Sequence, residues 1–533
     1  MKAIRPTTST TTRLAALAIL WLLAAPGTPA AERVVDVRDC GAVGDGKTLA
    51  TESLQKAIDR CAAQGGGTVR LPEGTWLSGT IYLASGVTLS LDKGATLLGS
   101  RNLDDYAHPR VPPGAPEGES YRIRAMIAGQ DVERVAIRGE GTIDGQGDAF
   151  RWKDRPRPKC IHLIGCRGVT VEGVNMRHAG SWMQHYQRCD RLTIRGIDVF
   201  NHAAYNNDGL NIDSCRDVTI TGCRVDSDDD GIVLKSLSTR PCQNVTVTDC
   251  TVSSHCNAIK MGTESGGGFQ NITVTDCTVF SPQKSKSTYG RQRGLAGIAL
   301  EIVDGGTLDH VTVSNVNIRG VSVPIFLRLG NRARQYEKGR PKPGVGTFRN
   351  VVVSDIVAEK TSEVGCSITG LPGHRIENVV LRNLKLGFDG GGTRETASRD
   401  VPERPESYPE STMFGVLPAW GFYCRHVKGL TLENVALGVS QPDLRHAMVF
   451  DDAENVVIDG LDAGFSPGAA PMIRLTQTSA ARIRRSGPKT ATQTFLRLEG
   501  DGCRGIVLEE NDLGRVEEVA DVAPEVPKDA LSR

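Results

Sequence analysis

A short alternation of apolar and polar residues recurs along most of the chain. Copies read CRGVTVEGV from Cys166, CDRLTIRGI from Cys189, CRDVTITGC from Cys215, CQNVTVTDC from Cys242 and FQNITVTDC from Phe269. They follow one another at intervals of 23 to 27 residues, and weaker copies continue towards the C-terminus. A βαβ unit needs about 30 residues and a visible helix. The repeat therefore predicts short stacked strands in an all-β, single-stranded parallel β-helix.

A second strand recurs once per repeat. It reads DGLNID from Asp208, DGIVLK from Asp230, NAIKMG from Asn257, AGIALE from Ala296 and PIFLRL from Pro324. Strand alternation places every second residue on the same face, so we expect an inward and an outward set. The inward set is Leu210, Ile212, Ile232, Leu234, Ile259, Met261, Ile298, Leu300, Ile325 and Leu327. The outward set is Asn211, Asp213, Val233, Lys235, Lys260, Glu301, Phe326 and Arg328.

The two ends of the predicted solenoid differ in character. The segment SLQKAIDRCAAQ, from Ser53, carries apolar residues at helical spacing. We expect this amphipathic helix to cap the N-terminal end, because a solenoid must cover its terminal apolar surface. One β-helix domain is predicted over residues 34–514, followed by a charged tail over residues 515–533.

The first 30 residues have the features of an export signal. Lys2, Arg5 and Arg13 precede an apolar run at residues 14–25, and small residues suited to cleavage follow. The run has about a dozen residues, whereas a bilayer span needs about 20. The sequence therefore predicts a signal peptide over residues 1–30 and an exported protein, periplasmic or extracellular, with no membrane segment after cleavage.

Charge and cysteine content narrow the possible partners. Lys and Arg total 63 and Asp and Glu total 62, a net charge of +1 that gives no reason to expect nucleic acid. The 14 cysteines include Cys223, Cys250 and Cys277, which are evenly spaced. Equivalent positions in neighbouring coils lie about 4.8 Å apart, so this ladder is read either as buried free thiols or as disulfides. No CxxC pair occurs, which disfavours a zinc site. Nothing in the sequence indicates a cofactor or an oligomer, so we expect a monomer.

The densest acidic group combines Asp208 with Asp228, Asp229 and Asp230. Asp208 opens one copy of the second strand and the Asp229–Asp230 pair opens the next, so stacking brings these carboxylates together. Crowded carboxylates raise one another's pKa, which lets one stay protonated while another ionises. That combination suits glycoside hydrolysis. The alternative interpretation is a solvated acidic turn, or an ion ladder with neighbouring lysines.

These segments resemble the polygalacturonase family, glycoside hydrolase family 28. NNDG at residues 206–209 resembles its Asn-x-Asp-Gly motif, and SDDDGIVLKS from Ser227 resembles its Asp-Asp motif. The opening VVDVRDCGAVGDGKT from Val34 is similar to the start of these enzymes. The resemblance covers roughly residues 34–465. It implies a right-handed, pectin-lyase-like β-helix that hydrolyses a pectic polysaccharide, either polygalacturonan or rhamnogalacturonan.

The resemblance also implies roles for three aspartates. Asp229 would be the general acid that protonates the glycosidic oxygen, while Asp208 and Asp230 would hold and activate the hydrolytic water, with inversion at the anomeric carbon. Strict strand alternation would turn Asp230 inward if Asp229 faces outward, unless Gly231 relaxes the strand.

One departure from the family pattern concerns a histidine. Where the family has its Gly-His-Gly motif, Asn257 takes the place of the histidine, and His255 lies two residues earlier. We expect Asn257 and His255 to serve substrate binding through a shifted turn. The alternative for His255 is a turn residue with a structural role only.

A second departure concerns the Arg-Ile-Lys motif, whose cations grip a substrate carboxylate in the family. The matching strand offers Ala299 and Glu301 instead, which disfavours a uronate at that subsite because like charges repel. Either other cations replace the missing ones, or the subsite holds a neutral sugar, as in rhamnogalacturonan-type substrates. The candidate cations are Lys260, Arg291 and Arg293, and Lys235 and Glu301 are also expected to contact the substrate.

Two further segments have alternative interpretations. Trp182, His185 and Tyr186, one coil before the acidic group, form either a sugar-stacking platform or packing beneath a loop. The basic insertion at residues 283–294 either walls a cleft or is a solvated loop.

Two other functions fit a β-helix. A polysaccharide lyase would use Ca²⁺, for which residues 228–230 offer oxygen ligands, and would release an unsaturated product. A non-catalytic adhesin or carbohydrate-binding protein would leave its glycan unchanged. Hydrolysis is favoured, because the acidic group and the order of the motifs agree.

Overall fold

The structure, a computed structural model, describes residues 33–107, 124–152, 155–282, 288–336, 339–464 and 466–533. The signal peptide predicted at residues 1–30 lies outside these residues. Within the described part of the chain, no helix has the length and apolar content needed to cross a bilayer.

The described residues form a right-handed parallel β-helix, as predicted, in which strands stack coil upon coil in three rows. Row A consists of Ile81–Tyr82, Ala125–Gln130, Lys159–Ile164, Gln184–Gln187, Leu210–Asp213, Ile232–Ser236, Asn257–Ser265, Ala296–Ile302, Val323–Leu329, Cys366–Thr369, Ile473–Thr476, Thr492–Glu499 and Val516–Val522. Row B consists of Val34–Asp36, Gly67–Leu71, Val87–Leu91, Glu133–Gly139, Arg167–Glu172, Asp190–Arg195, Arg216–Thr221, Cys242–Thr248, Ser479–Arg484, Ile506–Glu509 and Leu531–Ser532. Row C consists of Asp45–Leu49, Gly74–Ser78, Ala95–Gly99, Thr142–Asp144, Asn175–Arg177, Asp198–Asn201, Arg224–Ser227, Thr251–Ser254 and Gly487–Pro488.

Longer strands in the second half of the chain run through more than one row. Rows B and C are joined in Gly268–Phe280, Thr307–Arg319, Thr347–Thr361 and Ile376–Phe388. All three rows are joined in Ala419–Val439 and His446–Ala463. The helical segments are Val37–Cys40, Thr51–Ala63, Leu103–Asp105, Gly147–Phe150 and Arg394–Ala397.

Row B contains the most regular copies of the sequence repeat. In three of these copies the polar residue directly before the first apolar residue has a left-handed backbone conformation, which explains why it is Asn or Asp. Asp217, Asn244 and Asn271 have φ values of 55°, 56° and 55°. Asn and Asp tolerate this region better than most residues. Their side chains also form a ladder, because Asn244 Nδ2 donates to Asp217 Oδ1 at 2.8 Å and Asn271 Nδ2 donates to Asn244 Oδ1 at 3.2 Å.

The apolar side chains of all three rows meet in one continuous core. Every residue of the predicted inward set of row A belongs to it and is buried. The outward set points away from this core, as predicted, but all of its members are also buried because other parts of the chain cover them. Phe326, for example, packs in a separate apolar cluster with Ala299 and Met413.

The N-terminal cap forms as predicted, whereas the predicted C-terminal tail is wrong. Helix Thr51–Ala63 buries Leu54, Ala57, Ile58 and Cys61 against the first coil. Residues 515–533 are not a loose tail, because Val516–Val522 pairs in register with Thr492–Glu499. Ala523, Val526 and Ala530 of this segment are buried in the core, so the segment forms one more coil.

The cysteines are free thiols, and all 14 are buried. In row B the column that contains Cys215 and Cys242 continues through Phe269 and Leu308. Thiols and apolar side chains therefore fill equivalent core positions, which is how a buried free cysteine behaves in packing.

Candidate active site

Three aspartates lie together where two neighbouring strands of row A begin. Asp208 precedes Leu210–Asp213 and Asp230 precedes Ile232–Ser236, and Leu210 pairs in register with Ile232. Asp208 is 2% exposed and Asp230 is 3% exposed, while Asp229 in the intervening turn is half-buried. The structure thus brings the predicted carboxylates together, one coil apart.

Two glycines fix the position of these aspartates. A Cβ atom on Gly209 would lie 2.3 Å from Val225 Cγ1, and one on Gly231 would lie 2.4 Å from Val252 Cγ1. Only glycine allows the turn to approach row C this closely. Because Asp230 precedes the strand, alternation does not turn it into the core, and its carboxylate contacts the next coil instead.

Asp230 is held in its ionised form. Lys260 Nζ lies 3.1 Å from Asp230 Oδ2, and Asn257 Nδ2 donates to Asp230 Oδ1 at 2.8 Å. Burial opposes ionisation, but the ammonium groups of Lys260 and Lys235 hold the pKa of Asp230 below its ordinary value. Asp230 therefore has the protonation state of a base.

The pKa of Asp208 is shifted in the opposite direction. Its burial and the neighbouring Asp229 carboxylate raise the pKa of Asp208 well above its ordinary value, although Lys235 counteracts this. Lys235 Nζ lies 3.8 Å from Asp208 Oδ2 and 3.0 Å from Glu264 Oε2. The carboxylates are thus driven apart in pKa, which is the arrangement that acid–base catalysis requires.

Asp229 is contacted by a residue that sequence reasoning missed. The Tyr289 hydroxyl donates to Asp229 Oδ2 at 2.7 Å and accepts from the backbone N–H of Asn206 at 2.7 Å. The backbone N–H of Asp230 donates to Asp229 Oδ1 at 2.9 Å. Tyr289 belongs to the basic insertion, of which residues 283–287 lie outside the described part. In the sequence, Tyr289 is marked only as one aromatic residue among polar ones, which does not indicate a role in the site.

His255 lies beside the aspartates but contacts Asp228. His255 Nδ1 is 3.0 Å from Asp228 Oδ1, and His202 Nδ1 is 2.5 Å from the same oxygen. Asp228 Oδ2 accepts from the N–H and the hydroxyl of Thr288, at 2.9 and 2.6 Å. Despite burial, these partners hold the pKa of Asp228 far below its ordinary value. Asp228 therefore anchors the segment that brings Tyr289 to Asp229.

His202, Asp228 and His255 also have atoms close enough to share a metal ion. Within this group both imidazoles contact the carboxylate directly, with His202 Nδ1 and His255 Nδ1 at 2.5 and 3.0 Å from Asp228 Oδ1. Ca²⁺, which prefers oxygen ligands, does not suit two imidazoles.

The predicted cations divide into two pairs. Lys235 and Lys260 lie among the carboxylates, as described above. Arg291 instead donates to both oxygens of Glu410 at 3.1 Å, and Arg293 donates to Asp389 Oδ2 at 3.0 Å. Their partners belong to a long connection, which Arg291 and Arg293 therefore fasten beside the site.

This connection, residues 389–418, will be called the roof segment. It contributes Met413 to the cluster that contains Ala299 and Phe326, and it packs Phe414 and Leu417 against Tyr423. The Ser411 hydroxyl donates to the backbone oxygen of Leu295 at 3.0 Å. The outward face of row A is consequently covered by protein from Ala296 onwards.

Glu301 lies at the edge of this covered region. It is fully buried, accepts from the Thr263 hydroxyl at 3.1 Å and lies 3.8 Å from Lys260 Nζ. Burial raises the pKa of Glu301 to about 8, although Lys260 opposes the rise. Lys260 is therefore shared between Asp230 and Glu301.

The predicted aromatic platform forms only in part. Tyr186 is fully buried in the core, where its hydroxyl donates to Gln184 Oε1 at 2.6 Å, so it cannot stack on a sugar. His185 is also buried, stacked on His162 at 4.6 Å between ring centroids. Trp182 remains half-buried, edge to face with His185. The prediction for Tyr186 is wrong because the alternation of its strand points this side chain into the core.

Comparisons with known proteins match this arrangement. The family described as Glycosyl hydrolases family 28 matches residues 61–405. A probable polygalacturonase of Vitis vinifera is 32% identical over 214 residues, which are 37% of this chain and 43% of that protein. An exo-poly-alpha-D-galacturonosidase of Dickeya chrysanthemi is 37% identical over 138 residues, 24% of this chain and 21% of that protein. The chain spans less than half the length of these curated relatives.

Solved structures share the fold. The hyperthermoactive exopolygalacturonase of Thermotoga maritima has a TM-score of 0.59 and 21% identity, covering 78% of this chain and 93% of that one. The polygalacturonase of Erwinia carotovora ssp. carotovora has a TM-score of 0.51 and 23% identity, covering 64% and 92%. At these identities the likeness extends to the β-helix alone.

Proposed function

The chain belongs to glycosyl hydrolase family 28, and we propose that it hydrolyses a pectic polysaccharide by inverting acid–base catalysis. The proposal is carried by the carboxylates at the start of row A. Lys260 holds Asp230 in its ionised form, whereas burial and the Asp229 carboxylate raise the pKa of Asp208. An acid and a base side by side are what hydrolysis of a glycosidic bond needs.

In the proposed reaction Asp208 and Asp229 share one proton, because the carboxylate of Asp229 raises the pKa of Asp208, and Asp229 gives this proton to the glycosidic oxygen as the bond to the anomeric carbon breaks. Asp230 takes a proton from the water that attacks this carbon from the opposite face. Asp208 holds this water together with Asp230. The sugar that held the anomeric carbon gains a hydroxyl, the other sugar leaves as an alcohol, and the configuration inverts.

The roof segment supports attack near one end of the polysaccharide. Row A presents Asp208, Asp230 and Asn257 in successive coils, and the next coil, with Ala296 and Ala299, lies beneath the roof. A glycan lying along row A therefore meets the roof segment shortly beyond the aspartates on this side. We propose that short products are released from a chain end.

Two of the competing functions can be weighed against the geometry. The surroundings of Asp228, two imidazoles and Thr288, do not favour the Ca²⁺-dependent lyase. A non-catalytic binding protein would have no need of carboxylates held in opposite protonation states. We further propose that residues 1–30 direct export to the periplasm or the medium, and that the mature protein is a monomer.

Product analysis tests the proposed function. Purified protein would be incubated with polygalacturonan and with rhamnogalacturonan in parallel, and the Asp229→Asn variant would serve as control. Saturated short products from either polymer, absent with the variant, are expected. Unsaturated products would overturn hydrolysis in favour of elimination. Bound but uncleaved glycan would overturn it in favour of a binding protein.

A further inference from the structure

The roof segment carries an exposed aromatic side chain, Tyr408, beside the proposed active site. Tyr408 is 50% exposed, and every other aromatic side chain in the described part of the chain is buried or half-buried. It lies outside residues 61–405, over which the family matches, so the match itself gives it no role. Because single apolar residues are common at protein surfaces, the surroundings of Tyr408 decide whether it binds a ligand.

Two anchors hold the stretch of the roof segment that contains Tyr408. Before it, Arg328 Nη2 donates to the backbone oxygen of Glu403 at 2.7 Å. After it, Arg291 donates to both carboxylate oxygens of Glu410 at 3.1 Å. The ring is therefore held in position from both sides along the chain, which lowers the entropy that is lost when a ligand binds to it.

Two buried cations lie against the ring of Tyr408. The ring centroid is 5.6 Å from Lys260 Nζ and 5.7 Å from Arg332 Cζ. Both cationic side chains are almost completely buried, so they lie on the protein side of the ring. The exposed surface of the ring is consequently turned outwards, to where a glycan on row A meets the roof segment.

Lys260 also connects Tyr408 to the catalytic aspartates. Lys260 Nζ, which lies against the ring, is 3.1 Å from Asp230 Oδ2. One side chain therefore separates the ring from the proposed base. A sugar next to the cleaved bond meets this ring on the side of the roof segment.

The hydroxyl group of Tyr408 lies towards the charged groups of the site. Although Lys260 opposes the change, burial and the carboxylates of Glu264 and Asp230 raise the pKa of Tyr408 to about 12. The hydroxyl is thus protonated and near these groups, and the exposed surface belongs to the ring.

We propose that the exposed ring of Tyr408 is the surface on which the sugar next to the cleaved bond stacks, on the side of the roof segment. The inference rests on the proposed pectic hydrolysis and adds a residue that positions its substrate. The C–H groups on one face of a pyranose form an apolar surface, and its hydroxyl groups point to the rim. Such a face covers an aromatic ring and leaves the hydroxyl groups free for hydrogen bonds.

Binding without turnover tests the inference. Calorimetry would measure trigalacturonate, and a rhamnogalacturonan oligosaccharide in parallel, on the Asp229→Asn protein with and without Tyr408→Ala. Loss of one aromatic anchor corresponds to about tenfold weaker binding. We expect that loss in Tyr408→Ala for the glycan that binds, and an affinity within about twofold of the parent in Tyr408→Phe, which keeps the ring.

A control and a second measurement make the outcome independent of folding. Val357→Ala removes an exposed apolar side chain on row C, far from row A in the coil, and is expected to leave binding unchanged. Hydroxyl-radical footprinting of the Asp229→Asn protein needs no change at Tyr408. Tyr408 is expected to be oxidised in the free protein and protected from oxidation by the bound glycan.

The pH–rate profile separates stacking from a role in which Tyr408 only shields Lys260. Stacking leaves the acidic limb of kcat/KM of Tyr408→Ala at the pH of the parent and raises KM. A shift of this limb to higher pH would overturn the inference, because Tyr408 would then act through Lys260 and Asp230.

The binding data can overturn the inference in three further ways. These are equal affinity of Tyr408→Ala and its parent, oxidation of Tyr408 at the same rate with and without glycan, and no binding of either glycan. Failure of the proposed function has a different signature. In that case the unmodified protein cleaves neither polymer, while the weaker binding of Tyr408→Ala and the protection of Tyr408 persist.

Discussion

The pair formed by Lys260 and Asp230 gives the sharpest prediction from the electrostatics of the site. Both side chains are almost completely buried, with 3.1 Å between Lys260 Nζ and Asp230 Oδ2. In Lys260→Met the cation is replaced by an apolar chain of similar length, and Asp230 keeps Asn257 and the more distant Lys235. The substitution therefore removes the nearest charge and leaves the packing almost intact.

The magnitude follows from the role of an adjacent charge. An opposite charge in contact lowers the pKa of a carboxyl group by about 1–3 pH units, which corresponds to about 1.4–4 kcal/mol. Because Lys235 and Asn257 remain, we expect a decrease in the lower half of this range, about 1.4–2.7 kcal/mol, in the free energy of unfolding at pH 7.

The sign of the pH dependence follows from the direction of the pKa shift. Asp230 has a lowered pKa in the folded protein, so its stabilising contribution is present above its ordinary pKa of 3.8 and is lost as the pH falls through the lowered value. If Asp230 is the base, the acidic limb of kcat/KM reports its ionisation. In Lys260→Met this limb moves to higher pH by about 1–2 pH units.

Urea denaturation and a pH–rate profile on the same preparations test both parts. Lys428→Met, at a half-exposed pair with 3.0 Å between Lys428 Nζ and Glu454 Oε1, is the matched control and should change stability by less than about 0.5 kcal/mol. An unchanged acidic limb in Lys260→Met, together with an unfolding free energy within about 0.5 kcal/mol of the parent, would refute the reasoning.

Two further substitutions probe the turn and the residue above it. Tyr289→Phe removes the hydroxyl that donates to Asp229. We expect kcat to fall about tenfold with little loss of stability, as measured by steady-state kinetics and thermal unfolding. A kcat equal to that of the parent would show that the contact has no catalytic role. Gly231→Ala places a Cβ atom 2.4 Å from Val252 Cγ1 and should lower the free energy of unfolding by about 1–3 kcal/mol. The control Gly438→Ala has no atom within 4 Å of the added Cβ and should leave stability unchanged. Equal effects of the two substitutions in urea denaturation would contradict the close approach at Gly231.

The fold was accessible from the sequence because its repeat is local. The alternation in row A names the inward residues correctly, and the amphipathic segment at residues 51–63 forms the expected cap. The C-terminal prediction failed for a physical reason. Residues 516–522 carry few large apolar side chains, but strand pairing with the preceding coil does not require them.

The site was predictable in its aspartates and not in what surrounds them. Asp208 and Asp230 follow from the register of the repeat, because one stacks on the other. Tyr289, in contrast, reaches Asp229 through an insertion whose path has no periodicity. The same holds for Arg291, which the sequence presents as a cation near the site and which Glu410, more than a hundred residues later, engages.

The stereochemistry of the first product tests the central claim most directly. Proton NMR would follow the anomeric signals during the first turnovers on a pectic oligosaccharide, with the Asp229→Asn protein as the blank. The account predicts that the initial product has the inverted configuration, that mutarotation follows, and that the variant gives no product. A product that retains its configuration, or equal turnover by Asp229→Asn, would contradict the assignment of Asp229, Asp230 and Asp208 as an inverting acid–base system.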